Sequence, residues 1–512
     1  MSWRWGPVFL AAILVLADAV PILALAGHLA PNADGFQHFL EIKSIWRGHV
    51  LLDGWSVAED NFYLTDLPFY AVAAALIGLT PAMLPAVCAT IFLLLVLVAA
   101  IVAVQGAARV GEAWFAAPAV VVLLGMPTAI WPFLAGGSHI ATSLFILVQY
   151  ALLAVQLRRA VASWRVLAPY AVFSWAALAS DPLALFAANA PVAIFFALRA
   201  AIRADARRAS LTVLGVTVAV TLLGWFTPSL VAAIGGFRTD WHIAVGFAAP
   251  HSFSVSFIGI GRFFARLAGA EPLFHPMPWD ARYAIRAAFV AIVAAACIST
   301  VARPRRDNET GLLLLAGAAF LFAACTASRQ FFDTVTFAGA RYMAPGFFLA
   351  TVAAAIELSR YVVRLNPKTW RVAALTAGAV SSAVVAVPYA AAALALRSQP
   401  PAIETMPHRQ LADWLIQHEL RRGLGDFWTA HSVNALAHDK VTVETIWFPG
   451  GKPMRFDWVS SEADIVTEPQ FVAFSAANSF GVSVESVRAG YGPIASVEHP
   501  AGFTVVILAR SP

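Results

Sequence analysis

Apolar runs dominate the chain, and most are long enough to cross a bilayer. A spanning helix needs about 20 apolar residues. That measure predicts helices over 7–27, 84–105, 113–133, 138–156, 166–180, 182–198, 210–234, 283–301, 311–327, 338–358 and 372–396. The pair 166–180 and 182–198 is short and is divided by Pro182. Residues 67–79 are apolar but too short to span before Pro81, and read as a helix lying on the membrane. No small-residue cleavage pattern follows the first run, which is expected to stay as a retained helix rather than a signal peptide. After the linker-like stretch 397–406 the pattern changes. Residues 408–421 show an amphipathic helix carrying Leu411, Trp414, Leu415 and Leu420. Residues 440–446, 470–475 and 503–509 cluster β-branched and aromatic residues in the manner of strands. The expected architecture is a mainly α polytopic membrane protein with about 11 transmembrane helices (residues 1–398), long outer loops 28–83 and 235–282, and a small α/β domain over 399–512.

Composition agrees. Of 512 residues, 60% are hydrophobic and only 12% charged, and mean hydropathy is +0.74, which excludes a soluble globular class. The net charge of +5 is unevenly divided: residues 401–512 carry −4 and the remainder +9. The basic residues flank apolar runs rather than crowding an exposed domain, so they describe membrane topology and not nucleic-acid binding. With the N-terminus inside, the inner segments hold 16 Lys/Arg in 57 residues and the outer ones 8 in 110. By the positive-inside rule the N-terminus is cytoplasmic, and eleven spans put the C-terminal domain outside. Cys88, Cys297 and Cys325 fall inside apolar runs without metal-ligand spacing, and no disulfide is expected.

The stretch with the most chemistry is Pro31 to Trp46, PNADGFQHFLEIKSIW, just beyond the first span. A helix beginning near Asp34 places Asp34, His38 and Glu41 on one face. Phe36, Phe39, Leu40 and Trp46 line much of the other side, which suits a membrane surface. Asp34 is either an N-cap with Gln37 at N3 or a carboxylate that accepts a proton from an attacking hydroxyl. His38 either orients a substrate or is an interfacial histidine with a satisfied hydrogen bond. Asp181, in ASDPLA, either caps the next span or serves a site at membrane depth. His139, in AGGSHIA, lies at another outer helix end, so Asp34, His139 and Asp181 can converge on one outward cavity. The 235–282 loop carries Asp240, Trp241 and His242, with Arg262, Arg266 and His275, as a second cluster or as a solvated face. Arg341, in GARYMAP, enters its span from outside, where an arginine suits a lipid phosphate or snorkels to the interface.

No HExxH, CxxC, Walker loop or G-x-S-x-G motif is present. No metal site is evident, and a divalent metal stays open. Without a nucleotide cradle on the inner side, an enzyme of this kind would take a lipid-borne donor.

Over nearly its whole length the chain resembles the GT-C superfamily of membrane glycosyltransferases. The resemblance rests on NADGFQHF after the first helix, then IWRGHVLLDGW and DNFYLTDLPFYAVAAALIG in the first loop. GGSHIATSLFIL, ASDPLALF, GARYMAP and the later LADWLIQHELRRGLGDFWTAHSVNALAHDKVTV are also similar to segments of bacterial members. Members commonly show an Asp-Asp or Asp-Glu pair in this loop, whereas Gly35 follows Asp34 here. The resemblance implies a bacterial inner-membrane enzyme with its C-terminal domain periplasmic. It implies Asp34 as the base, a polyprenyl-phosphate-linked sugar as donor, and a lipid, glycan or protein acceptor on the outer face. His38, Glu41, His139, Asp181, Asp240, His242 and Arg341 are the candidate substrate-binding residues. The alternative is a non-catalytic relative that binds lipid-linked sugar for transport or assembly.

Overall fold

The computed structural model describes residues 5–124, 139–240, 246, 247, 249, 252–268, 270, 281–328, 340–365, 376, 387, 390–475, 477 and 480–509. Its first part is a helical assembly: α1 (Trp5–Ala26), α2 (Ala33–Trp46), α3 (Leu67–Ile77), α4 (Met83–Gly106), α5 (Val110–Leu124), α6 (Ile140–Leu157) and α7 (Trp164–Ser180). A π-helical turn, Leu185–Asn189, leads into α8 (Ala190–Ile202), then come α9 (Arg207–Ala233), α10 (Phe253–Leu267), α11 (Ala281–Ala302), α12 (Glu309–Ala327) and α13 (Ala340–Leu365).

Among the described residues, seven helical stretches are long and apolar enough to cross a membrane: 5–26, 83–106, 140–157, 185–202, 204–233, 309–327 and 341–364. The predicted span 166–180 is α7, of 17 residues. Span 283–301 lies within α11, and 113–133 begins in α5 and continues outside the described residues. Most of 372–396 also lies outside them. The chain is thus a mainly helical polytopic membrane protein with β structure near its C-terminus. α3 buries Leu67, Tyr70 and Ala74 and exposes Val72, Leu76 and Ile77, the one-sided pattern of a short helix lying on an apolar phase.

Small residues let the helices approach closely. A Cβ added at Gly317 of α12 would collide with the Tyr150 hydroxyl of α6, and one added at Gly106 of α4 would collide with Ile356 of α13. One end of the bundle is tied by charge. Arg360 is fully buried and pairs with Glu357 at 3.2 Å and Glu112 at 3.7 Å. Arg199 and Arg203 both hold Glu309. Buried charges persist when paired in this way.

The C-terminal part contains α14 (Pro407–Gln417), α15 (Phe427–Leu436), α16 (Val484–Tyr491) and a mixed sheet. In chain order its strands are β3 (Arg422–Gly425), β4 (Thr442–Trp447), β5 (Met454–Arg455), β7 (Phe471–Ser475), β8 (Ile494–Glu498) and β9 (Phe503–Leu508), arranged β5-β4-β3-β7-β9-β8. β3 pairs parallel to both β4 and β7, and a Cβ at Gly423 would strike the Phe471 ring across the sheet. The expected strands over 440–446, 470–475 and 503–509 correspond to β4, β7 and β9. Central β3, RGLG, escapes a pattern search because it is four residues long with two glycines.

Two features dock this part onto the first loop. α15 packs against α2. A second small sheet joins β1 (Trp55–Ala58) to β2 (Arg238–Asp240) in parallel and to β6 (Ser460–Ser461) in antiparallel register. Both loops after α1 and α9 and the C-terminal sheet therefore meet at one end of the helix bundle.

Candidate functional site

The site is assembled around α2. Its N-cap is Asn32, whose side chain accepts from Gly35 N at 3.0 Å. This corrects the reading of Asp34 as the N-cap: Asp34 lies inside the first turn. The aromatic face of α2 also differs from expectation. Phe36 and Phe39 are buried within the protein, packed in its main core rather than laid on a membrane, while Trp46 is exposed.

Asp34 Oδ2 accepts from Arg341 Nη1 at 2.6 Å, and Asn32 Nδ2 lies 3.4 Å from the same oxygen. Arg341 opens α13 and also donates from Nη2 to the Tyr342 hydroxyl at 3.2 Å. The Tyr342 ring packs on His139 with centroids 4.8 Å apart. His139, at φ 65°, precedes α6 and is hydrogen-bonded through Nδ1 to the Asp181 carboxylate at 2.6 Å. Its Nε2 lies 3.5 Å from Asp60, within ion-pair range but without hydrogen-bond geometry. A continuous chain of contacts thus runs from Asp34 through Arg341, Tyr342 and His139 to Asp181 and Asp60.

A second pair lies further along α2. His38 Nδ1 sits 3.3 Å from Glu41 Oε2, and Gln37 donates to Glu41 at 2.9 Å. Phe62 links the two histidines, its ring 5.3 Å from His38 and 5.2 Å from His139. Phe62 adopts φ 53°, a left-handed backbone that costs energy for a bulky residue. The loop is held there by ties to the end of α7: Phe62 N to Ser180 O at 3.0 Å, Asn61 Nδ2 to Ala179 O at 3.0 Å, and Leu64 N to Ser180 Oγ at 2.7 Å. Asp181 also accepts from Leu183 N at 2.9 Å, so it turns the chain as well as holding His139.

Asp240 is placed opposite Ala58 by the β1–β2 register, beside Glu59 and Asp60. His242 and His275 lie outside the described residues. Arg262 is exposed on α10. The sequence reading did not single out Glu59, Asp60, Asp66 or Tyr342. Their signal was three acids within eight residues of an outer loop, in AEDNFYLTD.

Electrostatics follow from crowding carboxylates in a dry place. Burial pushes Asp60 up to about 7, with Asp181 adding to the rise and His139 and Arg341 opposing it. Burial likewise raises Asp66 to about 6, against the charge of His38. For His38 and His139 burial works against the charged form. The hydrogen bond and charge of Glu41 outweigh it at His38, and those of Asp181 outweigh it at His139, so both imidazoles titrate above their usual range. A raised folded-state pKa contributes stability at low pH that is lost as pH rises through the folded value. The protein is therefore expected to lose thermal stability between about pH 4 and 7 as Asp60 ionises. Asp60→Asn should flatten that fall, as measured by melting temperature across the window. An unchanged slope in the variant would remove Asp60 as its source.

Asp60, His139, Asp181 and Tyr342 line one wall of a cavity of about 250 Å³. Glu59 and Ser328 also line it, and the rest of the lining is mostly apolar, with Leu183, Phe186, Leu321 and Cys325 among it. Among the described residues no cluster of three or more His, Cys, Asp or Glu has the geometry to hold a metal ion.

No family model and no curated protein sequence matches this chain. Solved structures do. ArnT from Cupriavidus metallidurans bound to undecaprenyl phosphate superposes with a TM-score of 0.58 at 13% identity, over 98% of this chain and 97% of that one. The same protein in the apo state gives 0.56 at 12%, over 97% of each chain. The archaeal oligosaccharyltransferase AglB from Archaeoglobus fulgidus, in complex with an inhibitory peptide and a dolichol-phosphate, gives 0.53 at 13%, over 86% of this chain and 64% of that one. At such identities the likeness is one of fold, and it extends from the first helix into the C-terminal sheet. The chain has the fold of these polytopic membrane proteins.

Proposed function

We propose that this protein is an integral membrane glycosyltransferase that moves a sugar from a polyprenyl-phosphate donor to an acceptor hydroxyl. The observation that carries the reading is the Asp34–Arg341 pair, linked through Tyr342 to the wall of a largely apolar cavity, in a chain of GT-C fold. The 1–398 region would supply the site and 399–512 would brace α2 from the same side of the membrane. We read that side as the periplasmic face of a bacterial inner membrane, and the loop charge bias supports its being the outer face.

In this mechanism the acceptor oxygen attacks the anomeric carbon as the bond from that carbon to the phosphate oxygen breaks. Asp34 takes the acceptor's proton, and the polyprenyl phosphate leaves with the bonding electron pair. Arg341, a planar fork suited to phosphate oxygens, stabilises the charge that develops there. Attack from the face opposite the departing phosphate inverts the anomeric carbon. Arg341 donates to Asp34 in the structure. Donor phosphate would compete for that guanidinium, loosen the pair and release the carboxylate, so donor binding should precede acceptor activation. Asp181 and His139 hold the wall of the cavity.

The test of donor recognition is native mass spectrometry of the full chain with added undecaprenyl phosphate. A one-to-one complex that Arg341→Ala weakens is expected. Equal retention of undecaprenyl phosphate and an uncharged polyprenol would overturn the phosphate role of this site.

A further inference from the structure

A second cavity, of about 380 Å³, opens where α2 and the first loop meet the C-terminal sheet. That volume falls in the range of about 300–1,000 Å³ typical of small-molecule sites. At 100° per residue, Leu40, Lys43, Ser44 and Arg47 project from α2 on the side roughly opposite Asp34, His38 and Glu41. One helix thickness, about 10 Å, therefore separates this cavity from the Asp34 site.

Its charges are largely committed. Lys43 and Arg47 both bind Asp439, at 2.5 and 2.6 Å. His49 takes Asp53 at 2.8 Å, and the Trp55 indole donates to Ser44 at 3.0 Å. The side chains left without a hydrogen bond among the described residues are Glu462, Asp464 and the Thr442 hydroxyl. Lys43 and Arg47 share the single Asp439 carboxylate, and with Asp53, Glu462 and Asp464 also in the lining the cavity holds more carboxylates than cations, so it offers mainly hydrogen-bond acceptors and disfavours a phosphate or carboxylate. Burial lifts Asp464 to about 6, so it is mostly ionised at neutral pH. Carboxylates facing an otherwise paired, half-apolar pocket suit a ligand that brings many O–H or N–H donors.

We propose that this cavity is a saccharide-binding site, selective for neutral or amine-bearing sugars, that engages a glycan portion of the acceptor. The acceptor role rests on the transferase reading; the binding itself does not. Glu462 and Asp464 accept the sugar's donors, and the mixed floor formed by Leu40 and Trp55 takes its apolar face.

The test is a glycan array probed with the detergent-solubilised full chain, carrying neutral, amine-bearing, phosphorylated and carboxylated oligosaccharides. No lipid donor is needed, so failure of transfer and failure of this site are separable. Neutral or amine-bearing glycans should be retained over anionic ones. Glu462→Gln with Asp464→Asn should weaken retention by about tenfold or more, the loss expected when charge-assisted hydrogen bonds are weakened. Ala463→Trp, at an exposed lining position, should block the cavity sterically without disturbing the core. Retention of nothing on the array, a preference for anionic glycans, or wild-type retention by both the double variant and Ala463→Trp would each overturn the proposal.

Discussion

Asp34→Asn is expected to lower sugar transfer by roughly 10²–10⁴-fold, the range for loss of a general base. The substitution preserves size and an oxygen able to accept from Arg341, but removes the charge that takes the proton. Because the N-cap of α2 is Asn32, the change leaves the helix terminus intact. Thermal stability should therefore fall little, by the cost of weakening one partly exposed ion pair. Expression level and melting temperature report the fold, and initial rates of transfer report the base. Wild-type rates in the variant would remove Asp34 from the chemistry.

Arg341→Ala should cost about 10²–10³-fold in kcat/KM, comparable to removing one preorganised donor from a developing charge. The loss is expected in kcat more than in KM if the guanidinium acts chiefly on the departing phosphate. Arg341→Lys should recover only part of it, since an ammonium keeps charge but not the two-pronged geometry. Asp34 and Arg341 touch, so the double variant should fall short of the product of the two single effects. Full additivity would mean that the two side chains act on separate steps.

Much of this arrangement was legible in the chain before any coordinates. Spans follow from the length of apolar runs, and the helix starting near Asp34 follows from its period. Arg341 stood out because a charge at a span's outer end is costly. What the sequence hid is of two kinds. Contacts between distant segments, such as Arg341 with Asp34 or Asp60 with His139, depend on helix packing that no local pattern encodes. Local competition also misleads: Asn32 and Asp34 are both good caps two residues apart, and it is Asn32 that has the extended cap backbone and accepts from Gly35 N. The apolar side of α2 was ambiguous for the same reason. Phe36 and Phe39 satisfy a lipid surface or a protein core equally well, and the docking of α15 and the neighbouring helices decides for the core.

Transfer from a lipid-linked donor at the Asp34 site is tested most directly by reconstituting the full chain in vesicles with isotopically labelled polyprenyl-phosphate sugars and a cell-envelope lipid and glycan extract as acceptor. Label should move from the lipid donor to an acceptor in wild-type vesicles and stay on the lipid with Asp34→Asn. Donor bound by both proteins but turned over by neither would contradict the account and leave a carrier of lipid-linked sugar in its place.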